Sequence, residues 1–74
     1  MSIMGTAIRL KLAKRIRQLR KKNNYTQEKL SELAKIDYKY IQKIEGKNPP
    51  AVRIDTLEKL ARAFKISLST LLRF

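Results

Sequence analysis

Thr26-Gln-Glu-Lys-Leu-Ser-Glu-Leu-Ala-Lys-Ile-Asp-Tyr-Lys-Tyr-Ile-Gln-Lys-Ile-Glu-Gly46 decides how the rest of the chain is read. Leu30, Leu33 and Ala34 recur at helical spacing and give one short apolar face; Ile41 and Ile44 give a second. Between them Lys35-Ile-Asp37 breaks the period, and Asp37 has the short acceptor side chain that caps a new helix. The spacing therefore predicts two short amphipathic helices, the second over about 37–45, joined by a turn of about three residues.

Upstream, Thr6 is placed to cap a long first helix ending near Asn23, after a mobile start over residues 1–6. Ile8, Leu12, Ile16 and Leu19 fall four, four and three apart and form one stripe of it. Its other faces carry Arg9, Lys11, Lys14, Arg15, Arg17, Arg20, Lys21 and Lys22 without one acid, a face read mainly as solvated. Asn23-Asn24 favours a left-handed ending. Thr26 caps the next helix, with Glu28 well placed in its first turn. Downstream, Gly46 stops the helix over 37–45, and Lys47-Asn-Pro-Pro50 is a loop, because a residue before proline is pushed out of helical geometry. Asp55-Thr-Leu-Glu58 has the capping-box pattern and opens a fourth helix with Leu57, Leu60, Ala61 and Phe64 inward. Ser67 caps a short fifth helix carrying Leu68, Leu71 and Leu72.

Seventy-four residues make one domain, 1–74, near the lower size limit for a chain without metal or disulfide support. With no Cys and no His, neither staple is available, and stability must come from an apolar core. Hydrophobic residues make up 43% of the chain, enough for a compact all-α domain of five helices. The same absences remove the usual bases, thiolate nucleophiles and transition-metal ligands. The six acids are scattered, and Gly5 and Gly46 are too far apart for a phosphate-cradling loop. An enzyme, a metal site and a cofactor are not expected.

Eighteen Lys and Arg against six Asp and Glu give a net charge of +12, with a pI near 10.5. Such a balance implies a polyanionic partner, a nucleic acid or an acidic membrane surface. No apolar run approaches the roughly 20 residues needed to cross a bilayer. Met1–Thr6 lacks a basic leader followed by an apolar segment, so the expected placement is cytoplasmic. A membrane-surface role for the basic first helix is disfavoured by the continuous two-helix register that follows it. A basic body presenting the second helix of such a pair has the geometry to enter a DNA major groove.

Five segments in order carry a resemblance. Leu12-Ala-Lys-Arg-Ile-Arg-Gln-Leu-Arg20, Tyr25-Thr-Gln-Glu28, Tyr40-Ile-Gln-Lys-Ile-Glu-Gly46, Thr56-Leu57 and Ile66-Ser-Leu-Ser-Thr-Leu-Leu72 are similar to the phage-repressor/Cro-type helix-turn-helix family, which includes small phage repressors, antitoxins and restriction–modification controller proteins. The resemblance implies a five-helix regulator that binds double-stranded operator DNA, usually as a homodimer. It makes the helix over 37–45 the recognition helix, with Tyr38, Lys39, Gln42 and Lys43 at base edges. Lys39 and Lys43 can donate to guanine O6 and N7, Gln42 can pair with adenine, and Tyr38 can meet a thymine methyl or a phosphate. Gln27 matches a glutamine that binds phosphate and braces the recognition helix. Lys47, Asn48 and Arg53 are further phosphate contacts, as is Tyr40, whose ring can pack at the core edge while its hydroxyl reaches out. Arg20 and Glu45 match an ion pair linking the first helix to the end of the third. Leu72 and Phe74 are the candidates for a dimer interface. The chain departs from the family in having Lys35 where glycine is frequent, Leu33 where a polar residue is frequent, and a long loop with Pro49-Pro50. A second reading is an antitoxin-type module that binds a protein partner and regulates its own synthesis through DNA.

Overall fold

A computed structural model describes the backbone from Ser2 and the side chains from Ala7 to Phe74. It is all-helical: α1 (Ser2–Lys22), α2 (Gln27–Ala34), α3 (Tyr38–Ile44), α4 (Ile54–Ala63) and α5 (Leu68–Leu71). The first helix begins upstream of Thr6, which therefore lies within α1 and does not cap it. The expectation of a mobile start concerns Met1 and the side chains of residues 2–6, which lie outside the described residues.

The core forms where the apolar stripes converge. Ile16 of α1, Leu30 of α2, Ile41 and Ile44 of α3, Leu60 of α4 and Leu71 of α5 are fully buried, so every helix contributes at least one anchor. Burying a Leu or Ile side chain is worth roughly 1.5–3 kcal/mol, and these six dominate the stabilisation of a chain with no covalent staple. Tyr25 stacks on Phe64 with ring centroids 6.0 Å apart, and its hydroxyl donates to the Ala63 carbonyl at 3.4 Å. The α1 stripe is shorter than its periodicity suggests. Leu12, Ile16 and Leu19 are buried, but Ile8 is exposed one turn earlier, at the edge of the shared core.

Three helix ends share one device. Asn24 (φ 59°), Lys35 (φ 57°) and Lys65 (φ 59°) are left-handed. At each, the next N–H reaches five residues back, Tyr25 to Arg20, Ile36 to Ser31 and Ile66 to Ala61, at 2.9–3.0 Å. That pattern satisfies carbonyls that the helix end would leave bare. Each left-handed residue is followed by an apolar one, Tyr25, Ile36 or Ile66, which packs against the core. Docking of that side chain offsets the left-handed strain of about 1–2 kcal/mol per residue. Lys35 thus takes the conformation for which glycine is usual.

Helix starts follow local chemistry less uniformly. Thr26 Oγ1 accepts from Lys29 N–H at 3.0 Å, Asp37 Oδ1 from Lys39 N–H at 2.9 Å, and Ser67 Oγ from Thr70 N–H at 3.1 Å. The fourth start differs from expectation. Arg53 is the N-cap of α4, with no side-chain cap, and Asp55 is the second helical residue. Its carboxylate takes the Thr56 N–H and pairs with Arg53 at 3.3 Å, while Glu58 turns to Arg62 at 3.7 Å and not back to the cap. An acid at this position still suits the positive end of the helix. Gly46, after α3, is not left-handed; a Cβ there would sit 3.2 Å from the Gln42 carbonyl oxygen.

Candidate nucleic-acid interface

The register of α3 follows from its two isoleucines. With Ile41 and Ile44 completely buried, the positions between them turn outward, and Tyr38, Lys39, Gln42 and Lys43 are all exposed. Among the described residues, none of the four side chains makes a hydrogen bond or ion pair. Tyr40 is half-buried and packs against the core. Lys47 and Asn48 are exposed in the following loop, where Pro49 is buried and anchors the backbone. Arg53 is exposed too, but it leans on Asp55.

Seven residues are too few to hold a helix by backbone bonds alone. Asp37 closes the first turn of α3, and a junction with α1 and α2 closes the last. Glu45, the C-cap residue, has a side chain only 3% exposed. Arg20 grips it with two donors, Nε to Oε2 at 2.8 Å and Nη2 to Oε1 at 3.0 Å, and gives a third to the Tyr25 carbonyl at 3.0 Å. Such a two-pronged contact fixes angle as well as distance. Gln27 Nε2 donates to the same Oε1 at 3.2 Å. Its amide is therefore committed to Glu45, with a second N–H left over for an outside acceptor. The structure brings Gln27, Arg20 and Glu45 together: the arginine of the implied ion pair and the glutamine implied to brace the third helix share one carboxylate.

Two functional arginines escaped the sequence reading. Arg17 Nη1 donates to the Glu45 backbone carbonyl at 2.9 Å, closing the end of α3 from α1. Arg15 does the same for α5, with Nε on the Leu71 carbonyl at 3.1 Å and Nη2 on the Thr70 carbonyl at 2.7 Å. They are exceptions to a face that the sequence reads mainly as solvated, and no local pattern marks them, because their partners lie 28 to 56 residues away. Cations belong at these helix ends electrostatically.

Leu72 and Phe74 are partly exposed, at 38% and 49%, and Ile8 at 56%. With Arg9, Leu12, Ala51, Val52 and Leu57 they line an apolar groove of about 550 Å³ on the α1–α4–α5 side of the molecule. Leu33 is 42% exposed and contributes to neither core nor groove. No helix of the described residues is long and apolar enough to cross a membrane.

An all-helical body that buries one face of a short helix, fixes both its ends and turns four polar side chains outward defines a helix-turn-helix DNA-binding module. A family model described as a helix-turn-helix domain matches residues 13–73, nearly the whole described fold, and the chain belongs to that family. Comparison with curated proteins and with solved structures gave no significant match.

Proposed function

We propose that the protein is a sequence-specific regulator of transcription that acts by occupying operator DNA. In this reading α3 enters the major groove, with Tyr38, Lys39, Gln42 and Lys43 at base edges. Gln27, Tyr40, Lys47, Asn48 and Arg53 hold the flanking phosphates and set the register. The observation that carries the reading is the outward face of α3: four uncommitted polar side chains on a helix whose opposite face and both ends are immobilised. The helix that carries them is already fixed, so binding has to order only the side chains and not the backbone beneath them. The uncommitted N–H of Gln27 lies at the start of α2, where exposed backbone N–H groups also favour an anion.

Selection of bound sequences from a random duplex pool tests this directly. A defined motif should emerge, and Lys39→Ala or Gln42→Ala should relax it at one or two positions, by about 1–3 kcal/mol per lost base contact. Arg53→Ala should weaken all sequences alike. A pool that remains unenriched after selection would refute the reading. The apolar groove supports a homodimer through Leu72 and Phe74, since a two-fold operator needs a self-complementary patch. Sedimentation showing only monomer with operator bound would remove that part. The groove also favours the second reading, an antitoxin-type module, and co-purification with a protein encoded beside it would support that one instead.

A further inference from the structure

From Lys11 onward the seven cations of α1 divide by residue type, while the eighth, Arg9, is exposed. The three arginines nearest the core, Arg15, Arg17 and Arg20, are spent inside the fold on helix ends and on Glu45. The four lysines, Lys11, Lys14, Lys21 and Lys22, are all exposed and take part in no ion pair among the described residues. At 100° per residue they share with Gln18 about 100° of the helix circumference, turned away from Leu12, Ile16 and Leu19, and run for about 16 Å. Lys11, Lys14, Arg15 and Gln18, with Phe74, line a shallow depression of about 270 Å³, so part of the stripe is concave. No acid lies on α1, whereas α4 places Glu58 one turn from Arg62. Like charges at this spacing repel and weaken a helix. The helix dipole accounts for Lys21 and Lys22 in the last turn, but not for Lys11 and Lys14.

We propose that this stripe is a second polyanion-binding surface that takes the backbone phosphates of a second DNA duplex, so that one protein bridges two. A duplex offers one negative charge per about 1.7 Å of axis, enough to meet every lysine of the stripe. A membrane surface fits less well, because a helix lying on lipid needs its apolar face free, and that of α1 is buried. The side of α1 that meets the end of α3 is the one carrying Arg17 and Arg20, which reach Glu45. At 100° per residue that side lies about 120° round the helix from the middle of the lysine stripe, so the stripe is not on the face of α1 turned to α3. The inference rests on the reading of α3 as the site for the first duplex.

The experiment uses an immobilised duplex carrying the selected motif and a free, fluorescent duplex of unrelated sequence. Intact protein should retain the free duplex on the beads. Raising salt from 50 to 200 mM should reduce that retention about a hundredfold, the dependence expected for four neutralised phosphates. The variant with Lys11, Lys14, Lys21 and Lys22 all changed to glutamine should hold the immobilised duplex with an unchanged footprint and lose the free one by at least tenfold. Retention by this variant equal to that of the intact protein would overturn the proposal. So would displacement of the free duplex by polyglutamate at matched charge, which would identify an acidic protein surface as the better occupant. The paired variant Lys39→Ala, Lys43→Ala separates the two claims: undiminished binding of the immobilised duplex would sink the α3 reading and leave the stripe standing.

Discussion

Replacing Glu45 with alanine removes the acceptor for three hydrogen bonds and leaves the Arg20 guanidinium, whose side chain is 14% exposed, without its counter-charge. Deleting one partner of a buried pair costs about 3–5 kcal/mol, because the survivor stays desolvated and unpaired. Arg20 keeps its bond to the Tyr25 carbonyl and some access to water, which places the loss at the lower end, about 3 kcal/mol. In a domain of this size each kcal/mol moves the melting temperature by about 4–8 °C, so a fall of about 12 °C or more is expected. Lys39→Ala, on the exposed face of α3, should stay within about 0.5 kcal/mol of the parent. Urea and thermal melts of both variants, followed by far-ultraviolet circular dichroism, measure the contrast. Coincident curves would refute the account of the α1–α3 junction. Replacing Arg20 and Glu45 together with methionine should recover part of the loss, since a packed apolar pair avoids the stranded charge.

Three further outcomes follow from the same geometry. Lys35→Gly should raise stability by about 1 kcal/mol by removing left-handed strain, partly offset by the greater freedom of glycine in the unfolded chain; a destabilised variant would show that the strain is absorbed elsewhere. Thr26→Ala should cost about 1 kcal/mol, as loss of a true cap does, whereas Asp55→Ala should cost only a few tenths because Asp55 is not the cap of α4; equal losses in denaturant titrations would contradict the assigned start of that helix. Arg15→Met should destabilise the fold by about 1–3 kcal/mol and speed amide exchange first in α5, whose final carbonyls lose two charged donors; unchanged exchange at Leu71 and Leu72 would argue that water replaces Arg15 freely.

What could be read without coordinates was whatever rests on neighbours in sequence. Asp37 and Thr26 announce their helices because a cap needs only its own next turn, and Ile41 with Ile44 sets the rotation of α3 by spacing alone. The left-handed turn at Lys35 was legible from the family's glycine preference, but the parallel turn at Lys65 was not, since lysine carries no such signal. Asp55 misled for a related reason. An acid three residues before Glu58 satisfies the pattern wherever the helix starts, and Ile54, though 70% exposed, takes the first helical position. Ile8 continued the period of α1 beyond the region where the other helices meet it. Arg15 and Arg17 stayed hidden because a basic helix looks alike whether its guanidinium groups face water or carbonyls on remote segments.

The arginines also decide how portable the reading head is. A peptide cut from residues 26–46 would carry Gln27, the turn and every side chain assigned to base edges, but neither Arg17 nor Arg20. Its seven-residue α3 would be coil in water, well below the roughly 12 residues at which an isolated helix becomes even marginal. Grafting this motif onto another scaffold therefore requires importing the guanidinium donors along with it. The surface that α3 presents is authored in the first helix and only displayed by the third.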